Sequence, residues 1–420
     1  MKFTQSLRAL CWRCAVLISL VLFPGTVFAV GPQQTVLYNF KGLTDGAEPM
    51  AGLIFGRAGV LYGTATVGGD YEACNGGGAC GVVFTLSPPS RNGGNWAENV
   101  LYDFQFQDPY PPNTNLVFDR EGNLYGAAGQ SEVSPTALFQ LSDSTGVWNL
   151  NQVNSLGGNT PVFDQQGNLY NGVASFTNDG MVVESTPQAD GTWATATLYA
   201  FQGGKDGQSP SGALIFDNAG NLYGTTLYGG GRTQCGTVYQ LSPQENGTWA
   251  ETVLFSFTRS NGCNPDGGVI IDGQGNLYGT TINGGIGLCI SNCGVVFELS
   301  PPAQTGGAWT ETILHMFDNN DGANPHAGLV MDSTGALYGT TVRGGNGPCE
   351  PTGTGCGTVF HLTPPAQQGG AWNEFFYNFQ GPDGAEPFGN LLLDESKGVL
   401  YGTTILGGSN GYGTVFQITR

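Results

Sequence analysis

Four acidic turns carry the residues in this sequence that are best placed to bind a cation or a sugar. They share the phrase Asp-Gly-x-x-Pro, and their carboxylates belong to Asp45, Asp206, Asp321 and Asp383. An aspartate in a turn usually accepts backbone N–H groups, but two carboxylates about 5 to 9.5 Å apart are also sufficient for glycoside hydrolysis. We therefore take all four as ligand-binding candidates, and Asp321 and Asp383 as candidate catalytic carboxylates.

The sequence has only three histidines, and one of them follows an acidic turn. His326 comes directly after the turn that begins at Asp321, so it is the candidate acid or base, whereas His315 and His361 lie in predicted strands and are expected to be ordinary strand residues. Aromatic side chains in predicted loops could stack on sugar rings, and these are Tyr71, Tyr110 and Tyr228. No nucleophile elbow, zinc-protease helix or phosphate-binding loop occurs, which favours a binding protein over an enzyme.

Cysteine spacing predicts a disulfide framework. Cys11 and Cys14 lie in the N-terminal segment, and the other eight form an even set. The expected pairs are Cys74–Cys80, Cys235–Cys263, Cys289–Cys293 and Cys349–Cys356. A zinc site is the competing interpretation of Cys289 and Cys293. Because no second Cys/His pair accompanies them, we expect disulfides and no metal site.

The N-terminus has the pattern of a secretory signal peptide. Basic residues precede an apolar run over 15–23, and a small-residue cleavage pattern ends at Ala29. The apolar run is far shorter than the ~20 residues that span a bilayer. We therefore expect a signal peptide at 1–29, a single mature domain at 30–420 without a transmembrane segment, and an extracellular or periplasmic location. The formal net charge of −19 argues against nucleic acid as a partner.

A repeated phrase indicates which elements position these residues. Gly-Asn-Leu-Tyr-Gly-Thr-Thr occurs at 220–226 and 275–281, and related Leu-Tyr pairs recur at intervals of 45 to 63 residues. These pairs end at Tyr62, Tyr125, Tyr170, Tyr223, Tyr278, Tyr338 and Tyr401. Each copy has four strand-like segments, a to d, which in the sixth copy are 328–332, 336–341, 357–362 and 372–379. Four short strands per repeat predict an all-β, seven-bladed β-propeller of four-stranded antiparallel blades.

The two ends of the chain predict how the propeller closes. Residues 35–40 form a d-type strand with no a, b or c strand before it, and the chain ends with the c strand 413–418. Each of the other six d strands opens with a tryptophan: Trp96, Trp148, Trp193, Trp249, Trp309 and Trp372. The N-terminal strand is therefore expected to complete the last blade, which hides both edges.

Loop positions then assign the candidates to one face. In an a-b-c-d meander the b–c and d–a loops emerge together, so the acidic turns and the mature cysteines share a face, where we expect the four aspartates to surround the channel. The a–b turns contain Asp-x-x-Gly-Asn, as at Asp217 and Asp272. This pattern lacks the later bidentate Glu of a calcium loop, so we expect turn-forming aspartates and no cofactor, with calcium at these turns as the alternative.

The repeat phrase, the Gly-Gly loop after it and Gly-Thr-Val-Phe together resemble the bacterial Gloeo/Verruco tandem repeat. The resemblance covers nearly the whole mature chain. It implies an exported surface propeller of unassigned activity and brings no catalytic residues with it. Members often carry a C-terminal anchoring segment, and this sequence departs there because it ends at Arg420 directly after a predicted strand.

These observations lead to one leading hypothesis and two alternatives. The leading hypothesis is an exported, monomeric binding module that holds a carbohydrate, a peptide or a partner protein on the b–c and d–a face. The first alternative is a carbohydrate hydrolase or lyase with carboxylates at the channel mouth. The second is a structural envelope protein without a small ligand.

Overall fold

The computed structural model describes residues 33–420, apart from 43, 71, 73, 75–79, 92, 130–135, 176–177, 287–292, 305, 350–354 and 368. The expected signal peptide lies outside these residues and stays a prediction. The described chain forms seven four-stranded antiparallel sheets, as the repeat predicted. Within the described residues the one helical segment is a 3-10 turn at Arg57–Gly59, and no helix is both long and apolar enough to cross a membrane.

Each blade takes its strands in chain order from a to d. Blade 1 is β2(Ile54–Phe55), β3(Leu61–Ala65), β4(Val82–Ser87) and β5(Ala97–Asp103). Blade 2 is β6(Val117–Phe118), β7(Leu124–Ala128), β8(Ala137–Ser144) and β9(Val147–Asn154). Blade 3 is β10(Val162–Phe163), β11(Leu169–Val173), β12(Met181–Pro187) and β13(Trp193–Ala200). Blade 4 is β14(Gln208–Phe216), β15(Leu222–Tyr228), β16(Thr237–Pro243) and β17(Trp249–Ser256).

The remaining blades follow the same order. Blade 5 is β18(Val269–Ile271), β19(Leu277–Thr281), β20(Val295–Ser300) and β21(Thr310–Met316). Blade 6 is β22(Val330–Met331), β23(Leu337–Thr341), β24(Thr358–Thr363) and β25(Asn373–Asn378). Blade 7 is β26(Leu392–Asp394), β27(Val399–Thr404), β28(Thr414–Thr419) and, from the other end of the chain, β1(Gln33–Asn39).

Closure follows the prediction. β1 pairs antiparallel with β28, so that Val36 lies opposite Phe416, and a bulge falls between Val36 and Tyr38. Blade 7 therefore contains both ends of the described chain, with β28 paired on both sides and β1 as the outer strand of the sheet.

Most blades are joined by an aromatic contact. In six of the seven blades, all except blade 2, a phenylalanine directly after the d strand packs edge-to-face on the c-strand aromatic ring of the next blade, with centroids 5.0 to 5.4 Å apart. At the junction of blades 6 and 7 the pair is Phe379 and Phe416, both fully buried. Such contacts bury large apolar area in a preferred ring geometry, so they account for much of the core.

The glycine of the Leu-Tyr-Gly phrase makes room for this c-strand ring. Gly402 lies opposite Phe416 in the sheet, and a Cβ on Gly402 would be 2.5 Å from the Phe416 ring. Blade 3 solves the same problem differently, because a buried Asn171 faces a buried Val183. The larger residue on the b strand is matched by a smaller one on the c strand, which keeps the packed volume similar.

The a strand of blade 6 is shorter than expected. We predicted five residues for it, yet β22 spans Val330–Met331 only. The residues just before it, including Ala327, line the central channel and have no further strand to pair with on their inner side. The a strand of blade 4 differs, because β14 extends over nine residues, Gln208–Phe216.

The a–b turns show why their aspartates recur. Asp217 Oδ1 accepts the backbone N–H groups of Ala219 and Asn221, and its Oδ2 accepts Asn221 Nδ2 and the Tyr223 hydroxyl. Both oxygens of this carboxylate are thus occupied by its own turn and by the following strand, as expected for a turn-former.

Candidate functional site

The four predicted aspartates lie in d–a turns, each held against the d strand that precedes it. Asp45 accepts the Tyr38 hydroxyl at 2.7 Å and the Lys41 backbone N–H at 3.1 Å through Oδ2. The other three pairs are Asp206 with Tyr199, Asp321 with His315 and Asp383 with Tyr377. None of the four lines the central channel, so their placement around the channel mouth was wrong. The reason is that a tyrosine or histidine six or seven residues upstream fixes each carboxylate.

A fifth aspartate has the same role and escaped sequence analysis. Asp108 accepts the Tyr102 hydroxyl at 2.9 Å and the Gln105 backbone N–H at 2.9 Å. Proline follows it in place of glycine, which hides the Asp-Gly phrase. The tyrosine six residues earlier was the available signal.

Glutamates from neighbouring d strands face several of these turns. They follow the blade tryptophan by two residues, and they are Glu98, Glu251, Glu311 and Glu374. One carboxylate oxygen of each is buried without a hydrogen bond among the described residues. Burial, reinforced by the charge of Asp45, raises the pKa of Glu98 from 4.5 to about 7. Sequence analysis missed this set, although the recurring Trp-x-Glu was a usable signal.

The predicted loop tyrosines do not converge. Tyr71 lies outside the described residues, Tyr110 packs its ring 6.3 Å from that of Phe106, and Tyr228 is 37% exposed at the end of β15. Neither Tyr110 nor Tyr228 lines the channel cavity. They stay separate surface candidates for ligand binding.

The disulfides occupy the predicted loops. Bonds join Cys74 to Cys80, Cys235 to Cys263 and Cys349 to Cys356. Cys293 is also disulfide-bonded, and its expected partner, Cys289, lies outside the described residues. The Cys235–Cys263 bond ties a b–c loop to a d–a loop, which places these two loop classes on one face.

The central channel opens on that face as a cavity of about 140 Å³. All seven blades contribute residues, which lie just before the a strand or, in blade 4, within it: Met50, Asn113, Asn159, Ala213, Asp266, His326 and Phe388. The blades approach closely below it, since a Cβ on Gly267 would lie 2.4 Å from the carbonyl carbon of Ala327. This contact of backbone against backbone keeps the cavity small.

His326, the predicted acid or base, lies in this cavity with partners that sequence analysis did not identify. Its Nδ1 is 3.0 Å from Asp266 Oδ2, and its ring stacks on Phe388 with centroids 4.5 Å apart. If Nδ1 donates to the carboxylate, the lone pair of Nε2 is left free, and Nε2 has no hydrogen bond among the described residues. The imidazole is therefore oriented, with one nitrogen available.

Two asparagines add unpaired donors. Asn115 Oδ1 accepts the Gly52 N–H at 2.6 Å, and Asn390 Oδ1 accepts the Gly328 N–H at 2.8 Å. These bonds fix the amide groups between blades, and neither Nδ2 has a partner in the described part of the chain. The cavity thus combines amide donors with the imidazole and the Asp266 carboxylate.

The residues at the mouth diverge where the rest of the repeat does not. In every blade except the third, a proline lies five residues before the a-strand residue that pairs with the tyrosine of the Leu-Tyr phrase, and the residue after this proline differs every time. These residues are Met50, Asn113, Ser211, Asp266, His326 and Phe388. All except Ser211 line the cavity. The sequence shows that this position differs in each of these blades, but a search for residues that recur from blade to blade does not detect it.

Larger cavities lie between blades at the a–b turns. One of about 730 Å³ runs between blades 2 and 3 and contains Arg120, Gln140 and Trp193. Two of its polar side chains are engaged locally, since Arg120 donates to the Gln165 carbonyl and Gln140 to the Tyr125 hydroxyl. We take the channel mouth as the candidate site because it brings an oriented imidazole, a carboxylate and two amide donors together in one small cavity.

The repeat itself has relatives. The chain matches the Gloeobacter/Verrucomicrobia repeat over residues 136–348 and 291–420. It belongs to this family. No curated protein matches the sequence of this Gloeobacter/Verrucomicrobia repeat protein.

Solved structures share its fold at low sequence identity. An ulvan lyase of polysaccharide lyase family PL25 is 13% identical, with a TM-score of 0.54 over 91% of this chain and 95% of its own. A candidate 6-phosphogluconolactonase from Bacteroides uniformis is 14% identical, with a TM-score of 0.52 over 84% and 88%. A second such protein, from Bacteroides fragilis, is 13% identical, with a TM-score of 0.52 over 84% and 87%. At these identities the likeness shows the propeller fold alone.

Proposed function

We propose that this repeat protein is an exported binding module that holds a small polyhydroxylated ligand, such as one sugar residue of a glycan, at the channel mouth. The observation that carries the proposal is the set of unpaired polar groups around His326 in a cavity of about 140 Å³. The residues that line the cavity differ from blade to blade, which supports an asymmetric site. A ring of residues with a purely structural role would tolerate the same residue in each blade.

The chemistry of the cavity favours hydroxyl groups over ions. The Nδ2 groups of Asn115 and Asn390 are donors, whereas His326 Nε2 and Asp266 Oδ1 are acceptors in the tautomer described above. A sugar hydroxyl can donate and accept at once, so it matches such a mixed set. The small volume admits one ring or chain end and excludes a folded domain.

The disulfides support both the location and the rigidity of this face. Disulfides persist mainly in oxidising compartments, which agrees with the expected export to the cell exterior or the periplasm. Bonds such as Cys235–Cys263 also restrict the loops that flank the mouth. A rigid rim lowers the ordering entropy that ligand binding would otherwise lose.

The His326–Asp266 pair favours a second candidate function, acid–base chemistry on the bound carbohydrate. A carboxylate that orients an imidazole leaves the other ring nitrogen able to take a proton from a substrate. The lyase or hydrolase alternative would then depend on this pair. The aspartates first considered, Asp321 and Asp383, are held in outer turns.

The binding proposal is tested by screening the full chain on glycan and peptide arrays and measuring the best glycan by calorimetry. The substitutions His326→Gln and Asp266→Asn should each lower the affinity for that glycan at least tenfold, because each removes a hydrogen-bonding group from a small cavity. Asp206→Asn, in an outer turn, is the matched control and should leave affinity within twofold.

Product analysis on the same glycan separates the two functions. Turnover that disappears in His326→Gln would identify an enzyme, whereas tight binding without product identifies a binding module. Affinity that is unchanged in both channel variants would refute the channel-mouth proposal. Absence of any ligand on either array would favour the structural envelope protein.

A further inference from the structure

A second cluster of ligating side chains lies at the outer junction of blades 5 and 6, away from the channel. It comprises His315 on β21, Asp321 in the following d–a turn and Glu374 on β25, and its ligand atoms all lie within 4.8 Å of one another. His315 Nε2 is 3.0 Å from Asp321 Oδ2 and 3.2 Å from Glu374 Oε1. The three side chains are 14 to 19% exposed, so the cluster lies close to the surface.

One proton cannot satisfy this arrangement. The single hydrogen on Nε2 can point at one carboxylate, and its hydrogen bond goes to Asp321. Glu374 Oε1 is therefore left buried at 3.2 Å without a hydrogen bond. A buried carboxylate oxygen without a partner is unfavourable, and the described residues supply no Lys or Arg to either carboxylate. A cation placed between the three ligand atoms would satisfy all of them.

The ligands are held in place by contacts that leave the ligating atoms free. Asp321 Oδ1 accepts the Asp318 backbone N–H at 3.0 Å, so Oδ2 remains for a ligand. The His315 ring packs edge-to-face on Phe317, with centroids 4.7 Å apart. Glu374 is fixed by strand pairing opposite Leu362. The cluster is thus preorganised by the turn, the core and the sheet.

We propose that His315, Asp321 and Glu374 bind a divalent transition metal ion, with zinc as the best match. Zinc is bound by His nitrogen and carboxylate oxygen at about 2.0 to 2.2 Å in tetrahedral sites, which separates ligand atoms by roughly 3.3 to 3.6 Å. The observed 3.0 and 3.2 Å require only small outward shifts. Calcium prefers six to eight oxygen ligands and fits a site with a histidine less well. Solvent would supply the fourth ligand.

Other junctions of the same design provide an internal comparison. Tyr38, Asp45 and Glu98 form an equivalent cluster, in which the tyrosine hydroxyl is 2.7 Å from Asp45 and 3.4 Å from Glu98. At the junction of blades 3 and 4, Tyr199 donates to Asp206 at 2.8 Å, and the Asp206 charge acts on Glu251. A protonated phenol is not a zinc ligand, so the histidine at 315 alone converts the shared design into a metal site.

Zinc binding to the full chain, measured by calorimetry and by metal content after equilibrium dialysis, tests this assignment. The wild type should bind one zinc ion per chain, and His315→Tyr should bind it at least tenfold more weakly. Tyrosine is the residue that equivalent junctions already contain, so this variant should fold. Glu374→Gln provides a second loss of a ligand, and His326→Gln, which alters the channel, should leave zinc affinity unchanged.

A gain of binding is the stricter test. Tyr199→His should create a second triad with Asp206 and Glu251 and raise the stoichiometry to two zinc ions per chain. No zinc binding to the wild type at millimolar free zinc would overturn the proposal, as would equal binding by wild type and His315→Tyr. Because neither channel residue is involved, this outcome and that of the glycan experiment are independent.

Discussion

The outer blade junctions and the channel mouth use the same repeat in opposite ways. At the junctions, similar residues recur from blade to blade, as in the Tyr38–Asp45 and Tyr199–Asp206 pairs. At the mouth, the residue after the aligned proline differs in all six blades in which that proline occurs. Repetition therefore marks positions that hold blades together, and departure from it marks the positions where we propose that a ligand binds.

The cluster at His315 lies between these two cases. It keeps the architecture of an outer junction but replaces the tyrosine with a histidine. One substitution at a repeated position changes the chemistry of the junction and leaves the backbone fold of the blades unchanged. Repeat proteins can acquire sites in this way because neighbouring blades preserve the geometry.

Truncating a repeated core ring should give the largest effect on stability. Phe416 is fully buried and contacts Phe379, so Phe416→Ala should lower the free energy of unfolding by about 3 to 5 kcal/mol. The matched control is Phe375→Ala, which removes a ring that is 61% exposed and should change stability by much less. Denaturant unfolding measures both, and equal losses would contradict the assignment of the repeated rings to the core.

Removing a disulfide should cause the next largest loss of stability. The loss should be greater for the disulfide that closes the longer loop. Cys235 and Cys263 are 28 residues apart, whereas Cys349 and Cys356 are 7 apart. The chain-entropy relation gives roughly 3.6 and 2.4 kcal/mol for replacing each pair with serine. Thermal or denaturant unfolding checks this order, and the reverse order would show that native-state contacts outweigh loop entropy.

The architecture was predictable because it is encoded many times. Seven Leu-Tyr pairs, and tryptophans that open the d strands of blades 1 to 6, predicted the blades, and the unpaired d-type strand at 35–40 predicted closure through β1 and β28. Because the repeat occurs seven times, an error of one residue in placing a strand in one copy does not change the predicted fold. The a strand of blade 6 was overestimated because the repeat pattern carries no information about how much room remains at the axis.

The candidate site was predictable only in part, for a physical reason. His326 stood out as a rare residue type, but Asp266 is 60 residues away in sequence and belongs to another blade. Its proximity depends on how two blades pack, which no local pattern encodes. The outer aspartates were misplaced for a different reason, because their tyrosine or histidine partners lie only six or seven residues upstream on the d strand and this local signal was not used.

The smallest predicted effect concerns pH and again compares a junction with the surface. Because burial raises the pKa of Glu98 from 4.5 to about 7, the folded protein retains a proton between these values that the unfolded chain has lost. Stability from this group is full below pH 4.5 and is lost as pH rises through about 7. We expect a loss on the order of 1 kcal/mol, since partial solvation reduces the effect. Glu98→Gln should reduce the pH dependence of unfolding from pH 5 to 8 without abolishing it, because burial also raises the pKa values of Glu251 and Glu374 to about 7. Glu245→Gln, at an exposed position, should not change it. Identical pH profiles for wild type and Glu98→Gln would show that this junction carboxylate does not hold its proton.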